Sequence, residues 1–216
     1  MKGITVGLFG NKDKIATAAP VAQATSSSGK ISLVKGATIS LTKTVDATIS
    51  ASNGWKAKNK DYDLKALVRY KDGRQIYVGA ANSDEVLATP EGAVRHGGDV
   101  RAGSSDLETI TIKWHPDIAS VALSSYSALE NGQGSFHQYG VYVNIKNGDQ
   151  LVGIDAADAS ADGESYTLCF GEVTFQPDHS FNVTNLELYS KRGSEHRIGY
   201  KHDKVVMDAG PKGKNK

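Results

Sequence analysis

The stretch AVRHGGDVRAGSSDLETI, residues 93–110, sets three glycines, one histidine and three acids directly ahead of a β-branched run. A second acidic place lies earlier, in KNKDYDLKALVRY, where Asp61 and Asp63 are two residues apart. On a strand that spacing puts both carboxylates on one face, and Asp106 and Glu108 repeat it at the end of the glycine-rich stretch. Converging carboxylates repel, and they stay ionised together only when a cation offsets them. A hard divalent ion such as Ca²⁺ takes about six to eight oxygens, some of them backbone carbonyls. Glycines that accept positive φ let a loop turn its carbonyls inward. Asp61, Asp63, Asp99, Asp106 and Glu108 therefore form a candidate ligand set for one or two Ca²⁺ ions. Neither stretch fits the EF-hand loop.

Three other uses of these residues compete. The acids could be solvated strand edges paired with Lys60, Lys65, Arg95 or Arg101, and spacing does not separate this from a cation site. An anion cradle is disfavoured, because the acids oppose phosphate and the loop opens no helix. Catalysis would need a base or nucleophile beside the acids. His96 is the nearby histidine, and no second acid–base group stands at a convincing spacing.

The elements that must position these residues read as strands. The 216 residues are 39% hydrophobic and 23% charged, which suits one globular domain with loose ends. Twenty-three glycines against five prolines, spread between short β-rich runs, point to tight turns in an all-β chain. YDLKALVRY and RQIYVGA flank Lys71-Asp72-Gly73, and GVYVNI and QLVGI flank Lys146-Asn147-Gly148-Asp149. Both read as hairpins. Further runs of this kind, with no sustained helical period, predict a β-sandwich of two mostly antiparallel sheets. Residues 1–30 read as a short peptide and flexible linker, 31–200 as the sandwich, and 201–216 as a basic flexible tail.

A formal charge of +1 supplies no global field to draw nucleic acid or anionic lipid. The one cysteine, Cys169, builds no disulfide framework and reads as a buried structural thiol. No stretch has the length of a membrane span or a signal-peptide core, so a cytoplasmic protein is expected.

ISLVKGATISLTK, YDLKALVRYKDGR and GAVRHGGDVRAGSSDLETITI, in that order, resemble the TerD family of tellurium-resistance and stress proteins. GSFHQYGVYVNI and LCFGEVTF resemble later segments of the same family. The resemblance covers roughly residues 31–200. It implies a non-enzymatic, Ca²⁺-binding β-sandwich that acts through protein partners, among them other Ter-type stress proteins. It also implies Asp61, Asp63, Asp99, Asp106 and Glu108 as the metal ligands. Two departures stand out. Lys65 occupies a position where the family carries a further acid, and the loop is short, with Val100 and Arg101 after its aspartate. Fewer ligands and added positive charge are expected to weaken the ion site. An alternative keeps the fold as a metal-free assembly module in which Lys65 and Arg101 supply the missing charge.

Overall fold

The computed structural model describes residues 25–27, 29–80, 84–100, 107–128 and 133–212. Among these residues the regular structure is all strand apart from one 3-10 turn at Ala159–Ala161. The expected all-β sandwich is what the chain forms. One sheet has seven strands, in the spatial order β1 (Thr25–Ser27), β2 (Lys30–Ser32), β11 (Gln150–Asp155), β10 (Tyr142–Asn147), β4 (Thr48–Gly54), β8 (Thr109–Lys113) and β7 (Val94–His96). The other has six, in the order β3 (Thr38–Leu41), β13 (Phe181–Tyr189), β12 (Thr167–Phe175), β9 (Ile118–Ser127), β5 (Tyr62–Tyr70) and β6 (Gln75–Val78). The β2–β11 pair is parallel, while the hairpin and meander pairs are antiparallel.

Strand alternation sorts each element into two faces. In β5, Tyr62, Leu64, Ala66, Val68 and Tyr70 join the core between the sheets. The intervening Asp63, Lys65, Leu67 and Arg69 point to the other side of the six-stranded sheet. Phe136, from the GSFHQYG segment, is fully buried with its ring 5.3 Å from that of Tyr62. Both expected hairpins form, β5 with β6 and β10 with β11. Gly73 (φ 89°) and Gly148 (φ 58°) take the left-handed backbone these turns require.

One side of the sandwich is closed by residues 86–89, which hydrogen-bond to both sheets. Val86 N donates to Tyr77 O (2.9 Å) and Gly79 N to Val86 O (3.1 Å), on the β6 edge. Thr89 N donates to Val94 O (2.9 Å) and His96 N to Leu87 O (2.8 Å), on the β7 edge.

The end of the chain departs from expectation. Residues 201–212 are not a loose tail. β14 (Gly199–Lys201) and β15 (Lys204–Val206) form a hairpin laid over the outer side of the six-stranded sheet. Beneath it, Leu67, Ala122 and Cys169 are fully buried with Ile198 and Tyr200, and Val205 and Met207 pack against them. A directional chain ties the strap down. Arg69 Nε donates to Ser120 Oγ (3.2 Å), Ser120 Oγ to Tyr200 Oη (3.1 Å), and Tyr200 Oη to Glu172 Oε1 (3.0 Å). The apolar residues of the strap are too few and too broken by charge to signal a strand, so their order comes from the sheet they cover. Burial also pushes the Cys169 thiol far above its ordinary pKa, as befits a structural thiol. At the other end, Thr25–Ser27 pair with β2 rather than belonging to a linker, while residues 1–24 and 213–216 lie outside the described residues. No helix among the described residues is long and apolar enough to cross a membrane.

Candidate functional site

The two acidic stretches meet at the end of β5 that extends past β6. Pairing of β6 with β5 reaches only Ala66, opposite Val78, so the outward backbone groups of Leu64 have no strand beside them. Side chains from the seven-stranded sheet take that place. Leu64 N donates to Glu108 Oε2, and Leu64 O lies 3.1 Å from His96 Nε2. Glu108 precedes β8 and is 1% exposed, while His96 ends β7 and is 4% exposed. Asn53 continues the series, its Nδ2 donating to Tyr62 O (2.6 Å) and to Ser125 Oγ (3.2 Å). A buried backbone group costs free energy unless partnered, so these polar side chains hold the two sheets in register.

The histidine tautomer follows from its partners. Gly98 N can only donate, and it meets His96 Nδ1 at 3.0 Å. Nδ1 is therefore the acceptor, and Nε2 carries the proton that goes to the Leu64 carbonyl. Both ring nitrogens are spent on backbone groups. The 3.7 Å approach of Nε2 to Glu108 Oε2 is thus a neutral contact in this arrangement.

Around this scaffold, Asp63, Asp99 and Glu108 each bring a carboxylate oxygen within 4.8 Å of the others. Asp63 is half-buried on β5, Asp99 is exposed on the loop after β7, and Glu108 is buried. Two oxygens held on opposite sides of one Ca²⁺ lie about 5 Å apart, since each sits roughly 2.3–2.6 Å from the ion. The spacing and the all-oxygen donor set fit a hard cation. Asp61 is not among the three, though its charge acts on Asp63. Asp106 and Arg101 lie outside the described residues.

Burial pushes the Asp63 carboxyl up to about 7, with Glu108, Asp61 and Asp99 adding to the rise and Lys65 opposing it. The fold thus favours protonated Asp63, whereas the unfolded chain has an ordinary carboxylate. Its contribution to stability is complete below the unfolded value near 4 and is lost as pH rises through about 7. In cation-free buffer the Asp63→Asn protein is expected to gain stability relative to wild type as pH rises from 4 to 8. Paired thermal melts across that range measure it; parallel curves would remove Asp63 as the titrating group.

Lys65 shares a face with Asp63, as its position two residues on requires. Its ammonium goes to Glu85 Oε1 at 2.8 Å and stands 5.2 Å from the Tyr126 ring centroid. The same oxygen lies 3.2 Å from Arg197 Nη2, just before the strap, and Arg197 Nη1 lies 3.4 Å from Asp84 Oδ2. The side chains of Lys65, Glu85 and Arg197 are 13, 1 and 7% exposed, so this is an interior charge group beside the acids. Glu85 and Arg197 carry no local signal in sequence. They reach Lys65 across 20 and 132 positions, which only the fold brings together.

No known family model matches the chain, and no curated protein matches it. Among solved structures, the chain is similar to a crystal structure described as "unknown function protein SAV2460", with a TM-score of 0.50 and 13% identity. That likeness covers 76% of this chain and 91% of the other. At this identity it speaks to the fold alone.

Proposed function

We propose that this chain is a TerD-like, non-enzymatic stress-response protein. Its sandwich binds a divalent cation, Ca²⁺ by preference, and it acts through protein partners. The observation that carries the reading is the meeting of Asp63, Asp99 and Glu108 within 4.8 Å at a place where burial and the neighbouring acids hold Asp63 back from ionising. A bound cation would supply that charge and join β5 to the loop that follows β7. The engagement of both His96 ring nitrogens by backbone supports a binding role over an acid–base one. The metal-free alternative places Lys65 in the acidic group as its counter-ion. Lys65 ion-pairs with Glu85, and its charge also acts on Asp63 against burial, so it supplies part of the positive charge in either reading.

Thermal unfolding in EDTA and in millimolar Ca²⁺ tests it. Ligand at a hundred times Kd adds about 2.7 kcal/mol to the folded state, a rise of roughly 5–10 °C for a domain of this size. The rise is expected in wild type and absent in Asp99→Ala, whose exposed side chain costs the fold little. Equal melting in both buffers for wild type would reject the cation and leave the assembly module.

A further inference from the structure

The charge group of Lys65, Glu85 and Arg197 is poorly built for stability alone. Lys65 Nζ at 2.8 Å and Arg197 Nη2 at 3.2 Å share one oxygen, Glu85 Oε1. Among the described residues, Glu85 Oε2 and Arg197 Nε are buried and have no hydrogen-bond partner. A buried ion pair that leaves polar atoms unsatisfied does not recover the hydration it lost. Its place beside the acids gives it a different use.

Lys65 and Asp63 stand on one face of β5, about 6.6 Å apart along the strand, a distance that a lysine stem spans. The two side chains share a neighbour. Tyr126 of β9 is the cross-strand partner of Asp63 and feels its charge, while the Lys65 ammonium lies 5.2 Å from the Tyr126 ring centroid. Lys65 thus reaches one of two carboxylates, Glu85 or Asp63, and in this structure it is bound to Glu85. Glu85 is itself fixed in place. Its Oε2 lies against Gly79, where a Cβ would stand 2.5 Å away, so the glycine leaves the room that this carboxyl fills. The next residue, Val86, is bonded by its backbone to Tyr77 and Gly79.

We propose that Glu85 is a positioning residue for the cation site: it holds the Lys65 ammonium off Asp63, Asp99 and Glu108 and so leaves their charge to the ion. This rests on the cation reading and adds a control to it. Lys65 is an internal competitor of the cation, a charge that turns to the acids when Glu85 releases it. Arg197 contests that hold through the shared oxygen. Its own N–H and C=O pair with Pro211 and Gly210, at 3.0 and 2.9 Å, so the seating of the strap reaches the ion site through one carboxylate.

Calorimetric titration of wild type, Lys65→Met, Glu85→Gln and the double variant with Ca²⁺ tests this as a thermodynamic cycle. Glu85→Gln is expected to bind roughly tenfold more weakly, because the freed ammonium turns to Asp63. Lys65→Met, in which Arg197 still faces Glu85, is expected to bind about threefold more tightly. In the Lys65→Met background, Glu85→Gln should change the affinity by less than about twofold. An equal drop in both backgrounds would show Glu85 acting by its own charge and would overturn the proposal. Unchanged affinity in Lys65→Met would overturn it as well. Melts in EDTA check folding. Should Glu85→Gln alone unfold, Lys65→Met and the double variant still decide, since the double variant removes both members of the ion pair. Ca²⁺ binding in wild type that ignores Glu85→Gln would reject this inference and keep the cation reading. No Ca²⁺ binding in wild type or in Lys65→Met would reject both.

Discussion

The His96→Ala protein unfolds roughly 5–15 °C below wild type, by the same margin in EDTA and in Ca²⁺. The side chain is buried, and its loss leaves the Leu64 carbonyl and the Gly98 amide without their partners. The buried Leu64 carbonyl so orphaned costs about 1–3 kcal/mol, the half-buried Gly98 amide less, and the vacated ring space adds to both. A total of about 2–4 kcal/mol converts at roughly 2–4 °C per kcal/mol for a domain of this size. Differential scanning calorimetry measures the shift. A change within about 1 °C would mean that the histidine does not hold β5 to β7. Any loss of a measured activity in this variant has to be judged against its lowered stability before a catalytic role is read into it.

Glu108 separates structure from ion binding through two substitutions. Glu108→Gln retains an amide oxygen that can accept from Leu64 N, so its fold is expected to hold. It also removes one of the charges that raise Asp63, so the Asp63 carboxyl should ionise at lower pH. Its affinity for Ca²⁺ should nevertheless drop at least tenfold, because a carboxylate ligand has become a neutral amide. Glu108→Ala is expected to lose about 2–4 kcal/mol of stability besides, through the orphaned Leu64 amide and the cavity. Calorimetric titration with Ca²⁺ and melts in EDTA resolve the two effects. Full Ca²⁺ affinity in Glu108→Gln would confine Glu108 to its backbone-capping role.

Much of the architecture is legible in local pattern. Lys71-Asp72-Gly73 and Lys146-Asn147-Gly148-Asp149 mark their hairpins because a turn with positive φ selects few residues. Period-two alternation places Asp63 and Lys65 on one face of β5, away from the core. The gathering of Asp63, Asp99 and Glu108 follows the two acidic stretches, although Asp61 stands aside from the three oxygens. The rest is written in long-range contacts. Nothing near Lys65 announces Glu85 or Arg197 as its companions. Residues 201–212 read as a tail because short apolar runs gain order only from the sheet beneath them. The double capping of Leu64 was equally hidden, since acids and a histidine in a glycine-rich loop suggest chemistry before they suggest backbone support.

The pairing of β3 with β13 sets a schedule for synthesis. Ile39 meets Val183, which leaves the ribosome 144 residues later. At about 5–20 residues per second the delay is roughly 7–30 s. Ile31 of β2 waits in the same way for Val152. During that interval the growing chain holds Ile31, Ile39 and Leu41 without their sheets, so β4 onward can assemble while β3 stays unpaired and β2 has only β1 beside it. The sandwich is therefore closed last by the strands that are made first.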